Sequence, residues 1–91
     1  MTVESFLEEK PDGSVDALRA LWHDGHGDWA QAHAVAQDDE SRDGAWVHAY
    51  LHRKDGDLGN AEYWYRRAGR PVFRGASNEE WRAMVEELLA R

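Results

Sequence analysis

Apolar residues recur at helical spacing along almost the whole chain. Val3, Phe6 and Leu7 stand at i, i+3, i+4 and predict a short first helix capped by Thr2. Pro11-Asp12-Gly13 breaks it, and Ser14 is the expected N-cap of a second helix whose stripe is Val15, Leu18, Leu21 and Trp22. Gly25-His26-Gly27 ends that helix. Asp28 caps a third, with Gln31 in the capping-box position and Trp29, Ala32, His33 and Ala36 on one face. A polar loop runs from Asp38 to Asp43. The stretch Gly44 to His52 then carries no charge on any side, which predicts the central and most buried helix. Asp55-Gly56 stops it. Asp57 caps the next helix, whose inner stripe is Leu58, Ala61, Tyr65 and Ala68, and Gly69-Arg70-Pro71 ends that one. After an extended link at 72–75, Ser77-Asn78-Glu79-Glu80 reads as a capping box. Trp81, Met84, Val85, Leu88 and Leu89 then form the stripe of a last amphipathic helix. No segment alternates long enough to predict a strand. The expected fold is all-α, a compact bundle of about five helices in one domain, residues 1–91. Its parts are an N-terminal helix (1–10), a first hairpin (15–38), a second hairpin (43–69) and a C-terminal capping helix (77–90).

The two hairpins are related. Shifted by 29 residues, Gly27-Asp28 falls on Gly56-Asp57, Trp29 on Leu58, Ala32 on Ala61 and Ala36 on Tyr65. In the preceding helices Leu18 falls on Val47, Trp22 on Leu51 and His23 on His52. Each unit is helix, Gly-Asp turn, helix. The glycine supplies a permissive turn backbone and the aspartate caps the second helix of the unit. The segments Gly27-Asp28-Trp29-Ala30-Gln31-Ala32 and Gly56-Asp57-Leu58-Gly59-Asn60-Ala61, the latter running on to Trp64-Tyr65-Arg66-Arg67-Ala68-Gly69, resemble tetratricopeptide and Sel1-like repeats over residues 15–69. The second is similar to the closing helix of a Sel1-like unit. The period is shorter than a tetratricopeptide's, and two units are fewer than the three or so a free-standing array needs. What the resemblance implies is two stacked hairpins, with the outer helices as caps and a face that binds a peptide or a protein surface.

Composition narrows the chemistry. The absence of cysteine removes disulfides, thiolate metal sites and thiol catalysis, and fits a reducing compartment. No apolar run approaches the roughly 18 residues of a membrane span, and the first residues lack the pattern of a secretory signal, so the expectation is a cytoplasmic protein. Net charge is −7, which disfavours nucleic acid as a partner. The charge is segregated: residues 1–43 carry 3 basic and 11 acidic side chains, residues 53–74 carry 6 and 3. Such halves can pair within one molecule or between two. Five of the 91 residues are Trp, an aromatic-heavy supply for a core this small, and a homo-oligomer fits a chain of marginal size.

Five histidines are the chief candidates for chemistry. His48 and His52, four apart on the central helix, share a face and can chelate one metal ion. A complete site needs a third ligand. His23 is the repeat equivalent of His52 and Arg19 that of His48, while His33 and Glu62 occupy matching positions on the second helices. Without metal, Arg19, His23, His48, His52 and Arg53 make a candidate ligand-binding face for a peptide, a protein surface or a small anionic ligand. Arg66, Arg67 and Arg70 make a candidate anion clamp at the end of a helix. No nucleophile motif, zinc-protease pattern or phosphate loop is present, so no residue is assigned as catalytic and no organic cofactor is expected. The leading expectation is a non-enzymatic interaction module; the alternative is a histidine-based metal- or ligand-binding protein that uses His48 and His52, with catalysis there left open.

Overall fold

The computed structural model describes residues 1–9 and 15–91. Six helices form: α1 (Val3–Glu8), α2 (Asp16–Gly25), α3 (Trp29–Asp38), α4 (Arg42–Lys54), α5 (Leu58–Ala68) and α6 (Ser77–Leu89), with no strand among the described residues. None of these helices is long and apolar enough to cross a membrane. The expected break at Pro11 and the cap at Ser14 lie outside the described residues. α2 itself enters from an extended Val15 with no side-chain cap.

Local chemistry sets the other boundaries. Thr2 and Ser5 close a capping box on α1. The Asp28 carboxylate accepts from the Gln31 N–H at 3.1 Å. Asp57 does the same for Asn60 and also takes the Asn60 side-chain amide at 2.6 Å. Both aspartates thereby satisfy a donor that the first helical turn would otherwise leave open. The turns before them are near copies. The Asp28 N–H donates to the His23 carbonyl and the Asp57 N–H to the His52 carbonyl, each at 2.9 Å. Gly27 and Gly56 sit at φ 83° and 85°, a left-handed backbone that a side chain would strain.

The capping box expected at Ser77 is corrected. Ala76 is the N-cap of α6, Ser77 is already helical, and no side chain caps this end. Glu80 is drawn inward instead. Its buried carboxylate accepts from Arg53 Nε at 3.0 Å and from the Tyr65 hydroxyl at 2.5 Å, so it cannot fold back on its own helix.

α4 is the centre of the molecule. It is buried without interruption from Gly44 to Leu51, as an uncharged helix predicts, and it packs on α2, α3, α5 and α6. Within each hairpin α2 lies along α3 and α4 along α5, and the hairpins meet chiefly through α3 and α4. The α6 helix crosses α2 and α4 with α1 beside it, held by the Trp81 indole N–H on the Leu21 carbonyl at 2.9 Å. Met84, Val85 and Leu88 share the buried core with Leu21, Val47, Leu51 and Tyr65. A second buried carboxylate, Asp24, accepts from the Tyr50 hydroxyl and from Lys54 Nζ at 3.0 Å, tying the end of α2 to α4.

Candidate metal centre

The site forms where the hairpins meet. On α3, Trp29 and His33 stand one turn apart; on α4, His48 and His52 do the same. Side chains four apart on a helix share a face, so each helix offers a pair to the other. One ring nitrogen from each of His33, His48 and His52 lies within 4.8 Å of the others. His33 Nε2 and His48 Nε2 are 3.1 Å apart, close enough for one ring to donate to the other. Aromatic neighbours fix the rings. His48 is sandwiched between Trp64, 4.0 Å away at 21°, and His52, 4.8 Å away at 22°. Trp29 stacks on His33 at 4.9 Å and 9°, and its own N–H donates to the Leu51 carbonyl at 3.0 Å. Asp57, already held as the α5 cap, places Oδ2 3.9 Å from His52 Nδ1.

The electrostatics favour neutral imidazoles. Burial drives His48 down to about 4, helped by the charges that His33 and His52 would carry. Burial also lowers His33, with His52 adding to the effect. Near neutral pH both rings therefore keep a free lone pair, the form that ligates a metal. The spacing fits as well. A tetrahedral ion with metal–nitrogen bonds of about 2.0–2.1 Å holds its ligand nitrogens roughly 3.3–3.4 Å apart. The His33–His48 separation of 3.1 Å is already near this value, and a ring nitrogen of His52 lies within 4.8 Å of both.

The structure brings His48 and His52 together and adds His33, not His23. The α4 face that looks toward α2 carries Tyr50 and Lys54, and what they meet there is Asp24. His23 lies in the last turn of α2, edge-on to Trp22 at 5.3 Å. Arg19 is part-exposed and pairs with Asp16 at 2.7 Å. Arg53 faces away from the histidines, onto Glu80, the Gly75 carbonyl at 2.9 Å and the Phe73 ring. The residues of the expected ligand-binding face thus have four separate surroundings. The three arginines of the expected anion clamp do not converge either. Arg70 stacks over Trp46 at 3.7 Å and pairs with Glu87, Arg67 donates to the Tyr63 hydroxyl at 3.1 Å, and Arg66 stands exposed.

Trp29, Trp64 and Asp57 support the site without having been singled out for it from the sequence. A signal for His33 did exist, since it shares the inward face of its helix with Trp29, Ala32 and Ala36. Comparison with protein-family models, with curated proteins and with solved structures gives no match.

Proposed function

We propose that this chain is a transition-metal-binding helical protein, with His33, His48 and His52 as the ligands of one ion. The observation that carries this is the convergence of three imidazole nitrogens within 4.8 Å from two different helices. An all-imidazole set suits zinc, copper(II) or nickel(II), and three protein ligands leave one position for water or another donor. Asp57 Oδ2 lies 3.9 Å from His52 Nδ1, and a modest approach would let this carboxylate accept the Nδ1 proton and leave Nε2 for the ion. The dispersal of Arg19, His23 and Arg53 favours this reading over a groove for a peptide or an anion.

The test is a thermal melt with chelator and then with each metal in turn, alongside His33→Ala and the His48→Ala/His52→Ala double variant. With free ion at about 100 times its Kd, binding adds about 2.7 kcal/mol. In a chain of this size that raises Tm by about ten degrees or more. Both variants lose the rise while remaining helical. An unchanged Tm with every metal, or a rise that persists in both variants, disproves the assignment.

A further inference from the structure

The two hairpins meet through a defined set of side chains. Trp29 and His33 on α3 face His48, His52 and the Leu51 carbonyl on α4. The 29-residue period carries each half of this joint to a free end of the stack. Moved forward, Trp29 and His33 become Leu58 and Glu62 on α5. Moved back, His48, Leu51 and His52 become Arg19, Trp22 and His23 on α2. The internal joint pairs His33 with His48. The same joint made between two molecules pairs Glu62 of one with Arg19 of the other, an anion with a cation.

Both ends are open to such a contact. Leu58 is 61% exposed, Val72 beside it 38%, and Glu62 is exposed. A cleft of about 310 Å³ opens there between Leu58, Glu62, Val72 and Arg74. At the other end a cleft of about 270 Å³ lies between Asp16, Arg19, Val35 and Asp38, and the Arg19 side chain is 42% exposed. The Arg19–Asp16 pair is solvated and therefore weak, so Arg19 is free to exchange partners. The charges of the two ends are complementary: one cleft carries Arg74, and the other carries Asp16 and Asp38. Among the described residues, the α6 helix packs on α2 and α4 and lines neither cleft.

From this we infer that the protein stacks head to tail on a second copy of itself, continuing its two-hairpin array through Leu58 and Glu62 on one molecule and Arg19, Trp22 and His23 on the next. Two ends that differ from each other and match across copies make a heterologous contact, which propagates into short chains or closes into a ring. The internal joint serves here only as a template for the geometry. The association needs no metal, so its success or failure is separate from that of the metal centre.

The test is sedimentation velocity on the full chain with chelator present, from micromolar to millimolar protein. The wild type gains mass with concentration. Leu58→Asp, Glu62→Arg and Arg19→Glu each weaken association by about tenfold or more while helicity and Tm hold, since the first puts a charge into the apolar part of the contact and the other two set like charges against each other. The Glu62→Arg/Arg19→Glu double variant regains association, as does a mixture of the two single variants. A wild type that stays monomeric throughout overturns the inference. So does association that survives all three single changes, or a double variant that stays dissociated.

Discussion

His48 concentrates what is unusual about this molecule. It is only 4% exposed, lies against Trp64 and has no counter-charge, so its neutral form is favoured in the fold. The unfolded chain takes up a proton near pH 6.5, while the folded one resists until about 4. The unfolded state therefore binds more protons in this window, and stability falls as pH falls from about 6.5 toward 4. The loss from this one group is on the order of 3 kcal/mol. Urea unfolding of the metal-free wild type and of His48→Gln across this range isolates the effect. The stability difference between them shifts against the wild type as pH drops, and an invariant difference rules out a buried neutral His48. The comparison is needed because Glu80 also titrates: burial holds it above the usual carboxylate range, against the pull of Tyr65 and Arg53, in both proteins.

Among the helices, Asp28 and Asp57 share one duty, and the proposed metal centre would give Asp57 a second. Both cap the second helix of a hairpin, and replacing either by Ala costs about 0.5–2 kcal/mol. Only Asp57 also faces a histidine of the metal centre. Asp57→Ala accordingly weakens metal binding by about 10–100-fold, while Asp28→Ala leaves it unchanged. Calorimetric titration of both variants with zinc checks this, and equal affinities refute the second duty of Asp57. These caps, and the left-handed glycines before them, were legible because each depends on residues within a turn of one another. The α6 start was misread for the opposite reason. Ser77 and Glu80 have the right spacing for a capping box, but Arg53 and Tyr65, distant in sequence, claim the carboxylate.

Across the whole molecule, the proposed metal centre would act as a clamp between hairpins, because one of its histidines comes from α3 and two from α4. Hydrogen exchange measured with and without saturating zinc reports the clamp. Amides of α3 and α4 slow together on metal binding, and α6, which carries no ligand, changes least. Slowing confined to α4 means that His33 does not ligate. Charge segregation also acts at this scale. Part of it is consumed internally, as in Arg91 with Asp43 and Lys54 with Asp24, and the proposed end-to-end contact would draw on Arg74 at one end and on Asp38 and the Arg19-paired Asp16 at the other.

The sequence by itself determined the all-helical class, the turns, most of the caps, the buried central helix and the shared face of His48 and His52. All of these rest on short-range rules: helical periodicity, side chain to backbone bonding within a turn, and glycine where φ must be positive. Only the tertiary structure decided that His33 rather than His23 completes the cluster, that Arg53 turns to Glu80, and that Trp64 covers His48. Those outcomes depend on which face of α4 meets α2 and which meets α3. That choice is made by the packing of the whole core, with Tyr50 and Lys54 committed to Asp24, and no spacing along the chain encodes it.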